Sequence, residues 1–391
     1  MSPRRSAALL LAATAVLASC GSDTTSPTST SGSTATSGST GGTDTTAVSG
    51  VSEVTAGQPF PEDRCAANKA AGPIVYLSSF DFSASASIIE VLVADSKGYY
   101  DDLCLDVQLT PSFSVENYPQ VAANEAQFSS GGSFSEMVDF ADANDAGYVA
   151  LAVDGRTGID ALITKDGAVP DLASIKGKKI GVKGAITPSV KAMLAKAGLV
   201  EGTDYETVLL EGFDPKVHIE VPDIVGFPGY KSNEPLQLEA AGIPFQLFDP
   251  SDDDIPGSFG IIYTNTTFLT EFPTAAEDFM RATMKGLADA VADPKAAAQV
   301  AVDAINANGN ALFLTPEGEQ ARWGVESELV SKGVTPEQPL GMPLPDLLTA
   351  EVTTYASIGL FDGVAPDIST MADPSVLQKI YDASGTVIWP A

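Results

Sequence analysis

From residue 72 onward, short apolar runs alternate with segments whose apolar positions recur every three or four residues. GPIVYLSSF (72–80) is rich in β-branched and aromatic residues between a Gly-Pro pair and a polar cluster, which predicts a strand. ASIIEVLVADSKGYY then carries apolar residues at helical spacing and stops at Gly98. LCLDVQLT (103–110) alternates as a strand does, and NYPQVAANEAQFSSGG predicts a helix followed by a short strand. VALAVDG (149–155) and GIDALITK (158–165) are two further strands. Strands alternating with helices imply a mainly parallel sheet covered on both faces.

A second α/β unit begins at DLASIKGKKIGVKGAITPSVKAMLAKAGL. It reads as a short helix, the strand KIGVKG, and a helix with Pro188 near its start and Gly198 at its stop. ETVLLEGF, DIVGFPGY and FQLFDP continue as strands, and GIIYTNTTFLTEFP returns as another. The alanine-rich stretch after it and LPDLLTAEVTTYASIGLF are helical and are expected to pack back on the first unit. The fold class is therefore α/β, with two lobes built on mainly parallel sheets and a C-terminal helical part on lobe 1. The expected boundaries are 58–163 and 263–391 for lobe 1 and 164–262 for lobe 2.

The N-terminus has a different texture. Arg4 and Arg5 precede a short apolar run ending in Leu17-Ala18-Ser19-Cys20, which resembles a bacterial lipobox. The apolar run is too short to span a bilayer. Residues 1–19 are expected to be a lipoprotein signal peptide, with Cys20 acylated; an ordinary secretory signal is the alternative. Residues 20–57 are almost wholly Ser, Thr and Gly and cannot bury enough apolar surface to offset ordering entropy, so a flexible tether is expected. Together they are expected to hold an extracytoplasmic body on the outer side of the bacterial cell membrane, touching it only through the anchor.

The chain has 391 residues, too many for one ordinary core. Its net charge of −30 repels phosphate backbones and argues against a nucleic-acid partner. Cys65 and Cys104 are expected to pair in an oxidising compartment, two buried thiols being the alternative. His218 is the single histidine, so a histidine-based metal site or catalytic triad has little to work with. No cofactor and no catalytic residue are expected.

In an open α/β sheet, ligands lie beyond the carboxyl ends of the strands, so the strand-to-helix turns carry the candidates. In SSFDFSASASIIE, Asp81 and Phe82 follow a strand, Ser83, Ser85 and Ser87 are suited to cap the next helix, and the free N–H groups of that helix are suited to meet a ligand oxygen. Phe82 is suited either to stack on a planar ring or to fill the core. In FSSGGSFSEMVDFA, Gly131 and Gly132 allow close backbone approach, Ser133 or Ser135 caps a helix, and Glu136 complements its dipole. VKGAITPSV adds Gly184, Thr187 and Ser189 but lacks phosphate-loop spacing. In GYKSNEP, Tyr230 offers a ring with a polar handle, Asn233 donors and an acceptor, and Glu234 a carboxylate for an amino group. The plainer reading makes Asn233 an N-cap, with Glu234 and Pro235 in the first helical turn.

ADSKGYYDDLCLDVQL, LASIKGKKIGV, SNEPLQLEAAGIPFQLFDP and FMRATMKGLADAVADP occur in an order that resembles the solute-binding proteins of ABC importers. Within them the chain is similar to the group shared by thiamine-pyrimidine-precursor binders and nitrate, sulfonate and taurine binders, over about residues 74–308. The resemblance implies a Venus-flytrap fold of the type II periplasmic kind, a small-molecule ligand between the lobes, no catalysis, a monomer, and a permease with its ATPase as partners. It places Phe82 where the pyrimidine branch has a tryptophan, and Tyr230 and Glu234 in that branch's aromatic-plus-carboxylate segment. The glycine pair before Ser133 is more like the sulfonate branch. A heteroaromatic nutrient is the expected ligand; an oxyanion or a flavin is the alternative, and a non-transport surface or sensory lipoprotein the alternative class. The pyrimidine synthases that share this fold need a cysteine cluster that this chain lacks.

Overall fold

The apolar runs become ten strands in a computed structural model that describes residues 50–308 and 315–391. In chain order they are β1 (Pro73–Leu77), β2 (Asp106–Thr110), β3 (Phe128–Gly131) and β4 (Tyr148–Gly155), then β5 (Asp160–Lys165), β6 (Lys179–Val182), β7 (Glu206–Leu209), β8 (Gly226–Tyr230) and β9 (Phe245–Phe248), and finally β10 (Phe259–Asn265). One sheet has the order β2-β1-β3-β10-β4 and the other β7-β6-β8-β5-β9. In each, four strands share a direction, and one runs against its neighbours: β10 in the first sheet, β5 in the second. Those two are the strands that arrive from the other lobe.

The chain thus crosses at residues 156–159 and returns at 249–258. The expected boundaries at 163/164 and 262/263 fall inside β5 and β10. Both strands pair along their length within one sheet, so neither divides between lobes. Strand GIIYTNTTFLTEFP is also shorter than its apolar content implies. It ends at Asn265, whose side chain accepts the Phe268 N–H at 2.8 Å and starts helix Thr266–Glu271.

Lobe 1 buries its sheet under helices Ile89–Ser96, Pro273–Ala292 and Pro294–Asn308 on one side. Tyr118, Phe134 and Met137, from helices Ser114–Ala122 and Phe134–Asn144, belong to a second cluster that includes residues of both lobes. Lobe 2 keeps a small core of its own around Ile163, Ile219, Ile224, Phe227 and Leu238. Helix Pro345–Ser357 touches both Phe134–Asn144 and Pro188–Lys196, so the C-terminal helical part bridges the lobes as well as covering lobe 1.

Cys65 and Cys104 are joined as a disulfide. It ties helix Glu62–Ala70 to the loop before β2. Residues 50–57, expected in the tether, are part of the body. Val54 is buried, Ser52 donates to Asp63, and the Gly57 N–H donates to the Trp389 carbonyl at 2.9 Å. The signal peptide, Cys20 and the rest of the tether lie outside the described residues.

Candidate functional site

The carboxyl ends of β1, β3, β6 and β8 face one cavity of about 340 Å³ between the lobes. Ser79, Phe80, Ser83 and Ser85 come from the turn after β1, and Gly132 and Glu136 from the turn and helix after β3. Lobe 2 contributes Lys183 and Thr187 after β6, the GYKSNEP turn after β8, and Asp160 at the start of β5. Arg322 and Glu326 enter from helix Pro316–Ser331.

Seven of the expected site residues line this cavity: Ser83, Ser85, Gly132, Thr187, Tyr230, Asn233 and Glu234. Asp81, Phe82 and Ser133 do not. Asp81 adopts a left-handed φ of 49° and accepts the N–H of Phe82, which turns the chain over. Phe82 therefore packs in the lobe 1 core, only 4% exposed, and Phe80 takes the cavity wall instead. Ser133 caps helix Phe134–Asn144 by accepting the Glu136 N–H. Gly132 permits a close approach: a Cβ there would stand 2.6 Å from Glu136 Oε2.

The helix after β1 also starts differently. It begins at Ile89 with no side-chain cap, so Ser83, Ser85 and Ser87 are not caps. The backbone amides ahead of it are held by three buried carboxylates: Glu319 accepts from Ala84, Glu326 from Ala86 and Asp154 from Ser87. These N–H groups were expected to be free for a ligand oxygen and are not. The Ser83 and Thr187 hydroxyls, by contrast, have no protein partner among the described residues.

The GYKSNEP turn is shaped by its strand. β8 pairs with β5 throughout but meets β6 only at Gly226. Pro228 therefore costs no ladder hydrogen bond on the β6 side. Glu234 is buried, with Oε1 2.7 Å from Lys183 Nζ and Oε2 accepting the Tyr230 N–H at 2.8 Å. Each oxygen thus has a protein partner and keeps a further lone pair toward the cavity that Glu234 lines. Asn233 is no side-chain cap either. Its Oδ1 accepts from Arg322 at 2.8 Å and from Gln237 at 2.9 Å. Ser232 donates to Glu326 at 2.7 Å, so two contacts fasten this turn to helix Pro316–Ser331.

Tyr230 is 48% exposed, but that surface faces the cavity. Burial, followed by the carboxylates of Asp160, Glu136, Glu234 and Glu326, pushes its phenol well above the ordinary value. Burial likewise raises Asp160 to about 6, opposed by a hydrogen bond from Ser189. It raises Glu326 to about 7, opposed by the Ala86 N–H and Ser232. Phe80, Phe213 and Tyr230 supply aromatic surface, with Lys183 5.5 Å from the Phe213 ring centroid.

His218 is buried and pairs its Nε2 with the Glu211 carbonyl at 3.1 Å. Among the described residues no group of His, Cys, Asp or Glu is placed to hold a metal, and no helix is long and apolar enough to cross a membrane.

A family model described as NMT1/THI5 like matches residues 85–297, more than half of the 391-residue chain. The chain belongs to the NMT1/THI5-like family. The family match runs from Ser85 through both lobes and includes the GYKSNEP turn. The riboflavin-binding protein RibY of Chloroflexus aurantiacus is 30% identical over 122 residues, 31% of this chain and 34% of that relative. The match thus spans about a third of the relative's length. Among solved structures, the ligand-binding component of an ABC-type import system from Staphylococcus aureus superposes with a TM-score of 0.58 at 11% identity, over 80% of this chain and 99% of that one. The putative sulfonate-binding protein SsuA of Methylobacillus flagellatus gives 0.57 at 16% identity, over 78% and 92%. A Candida albicans gene product described as having the generic periplasmic binding protein fold gives 0.54 at 12% identity, over 77% and 96%. This NMT1/THI5-like chain has the periplasmic-binding-protein fold.

Proposed function

We propose that the protein is an extracytoplasmic solute-binding protein of an ABC importer, and that it captures a small heteroaromatic nutrient of the thiamine-pyrimidine-precursor kind. The observation that carries this reading is the cavity of about 340 Å³, walled by both lobes and by Phe80, Phe213 and Tyr230. Aromatic walls with a few placed polar groups suit a planar ring with hydrogen-bonding substituents. In this reading Cys20 carries the lipid anchor, the body acts as a monomer, and a permease with its ATPase reads the closed form. Ligand binding shifts the lobes toward closure by its differential affinity for that state.

An oxyanion ligand is disfavoured because Glu319 and Glu326 already occupy the Ala84 and Ala86 amides. A flavin is the second reading, favoured by the 30% identity to RibY over 122 residues. Native mass spectrometry of the purified body, followed by calorimetry with 4-amino-5-hydroxymethyl-2-methylpyrimidine, riboflavin and taurine, separates the three. The pyrimidine is expected to bind most tightly; tightest binding of taurine, or of none of the three, overturns the reading. Glu234→Ala is expected to weaken pyrimidine binding more than about tenfold, because it frees both Lys183 and the Tyr230 turn. Unchanged affinity in a folded variant would sink that role.

A further inference from the structure

Four carboxylates line the cavity, Glu136, Asp160, Glu234 and Glu326, against two cations, Lys183 and Arg322. Both cations already have acidic partners. Lys183 is paired with Glu234 at 2.7 Å, and Arg322 lies 3.7 Å from Glu319 while donating to Asn233. Glu326 accepts from Ala86 and Ser232. Glu136 and Asp160 are left with neutral donors only. Ser114, Tyr118 and the amides of Gly132 and Ser133 act on Glu136, and Ser189 donates to Asp160 at 3.1 Å. Lys231 acts on Asp160 through its field, but its ammonium is held 2.8 Å from Asp249.

Both acids lie close to Tyr230, Glu136 reaching it from lobe 1 and Asp160 from lobe 2. Asp160 is the register partner of Tyr230 across β5 and β8. Glu136 Oε2 and the Tyr230 hydroxyl both approach Gly132, lying 2.6 Å and 3.9 Å from where a Cβ would sit. A separate feature also points to a ligand. Ser83 is 0% exposed, lines the same cavity, and its hydroxyl has no partner among the described residues. A buried hydroxyl without a partner is costly, and one facing a cavity is satisfied when a polar ligand group arrives.

We propose that Glu136 and Asp160 form a seat for a protonated amino group of the ligand, beside Tyr230, with Ser83 bonded to its polar substituents. The proposal rests on the solute-binding reading above and names the charge of the solute. Two carboxylates in a cavity partly closed to water attract an ammonium group more strongly than a hydroxyl of the same size. Glu319 and Glu326 act in the same sense, since those carboxylates occupy the Ala84 and Ala86 amides and repel an anion from them.

An isosteric pair tests this: 4-amino-5-aminomethyl-2-methylpyrimidine, whose alkylamine is protonated at neutral pH, and its hydroxymethyl analogue. Calorimetry is run on the wild-type chain and on Glu136→Gln and Asp160→Asn, with melting curves to confirm folding. The wild type is expected to prefer the amine by at least about tenfold. Each variant is expected to lose about tenfold or more toward the amine and less than about threefold toward the alcohol. Equal wild-type affinity for the pair, or equal losses toward both compounds in the variants, removes the charged seat and leaves the heteroaromatic reading standing. Binding of neither compound removes both.

Discussion

Phe80 and Phe82 stand two residues apart and serve different ends, because Asp81 between them takes a left-handed turn. Phe80 lines the cavity with its ring edge-on to Phe113 at 5.7 Å, and Phe82 is a core residue. Phe82→Ala is therefore expected to cost about 3–5 kcal/mol of stability and to leave ligand affinity within about threefold. Phe80→Ala is expected to do the reverse, with about tenfold weaker binding and a nearly unchanged melting temperature. Denaturant unfolding and calorimetry on the two variants decide it; a larger affinity loss from Phe82→Ala would reverse the assignment. The position of a polar-aromatic step after a strand is legible in the sequence. Which of two phenylalanines faces the ligand is not, since it depends on one backbone angle that aspartate tolerates without announcing it. Glu234 shows the same limit from another side: its place at the cavity follows from the GYKSNEP pattern, but its partner Lys183 is 51 residues away in the chain.

Helix Pro316–Ser331 escapes a reading based on apolar periodicity, although it closes one side of the site. Its buried face consists of Glu319, Arg322, Trp323, Glu326, Ser327 and Val330, at helical spacing but largely of charged and polar type. A pattern search for apolar stripes passes over such a face. The strands were legible because their burial is apolar, β4 being buried at all eight positions. Through Glu326 and Arg322 this helix holds Ser232 and Asn233 of lobe 2. A hydrogen bond to a charged group contributes about 1.5–3 kcal/mol, so Glu326→Ala is expected to weaken ligand binding by about tenfold. It is also expected to enlarge the unliganded body in small-angle scattering, and an unchanged scattering profile would count against a fastening role. At the other end of lobe 1, reduction of the disulfide between Cys65 and Cys104, 39 residues apart, is expected to cost about 4 kcal/mol by loop entropy. Denaturation with and without reductant measures it.

For the molecule as a whole, the acidic balance has a directional consequence for pH. Asp160, at about 6, and Glu326, at about 7, hold protons when folded at a pH where the unfolded chain has released them. Glu90 and Asp154, buried together, are shifted in the same direction: Glu90 by burial and then by Asp154, and Asp154 by burial against an opposing hydrogen bond with Glu90. Groups raised in the folded state contribute stability that is full below pH 4 and is lost as pH rises through 6 to 7. Carboxylates lowered by local hydrogen bonds, such as Asp171 and Asp382, are fully exposed and ionised in both states over this range. Melting temperature is therefore expected to fall by several degrees between pH 5 and pH 8, a loss on the order of a few kcal/mol. A rise over the same interval would contradict the raised values. The two-lobed organisation was legible because two runs of alternating strands and helices follow one another. The crossing points were not, because β5 and β10 are as apolar as the strands they join.

The hydrogen bonds from Gly57 to Trp389 and from Ala391 to Gln58 bring the two ends of the body side by side on lobe 1. A short linker would join them, and the chain could be reopened at the exposed Asp166–Gly167 turn of lobe 2 without cutting a strand. Such a circular permutant would carry its new ends on lobe 2. A fluorophore pair placed there and on lobe 1 would turn solute capture into an optical signal.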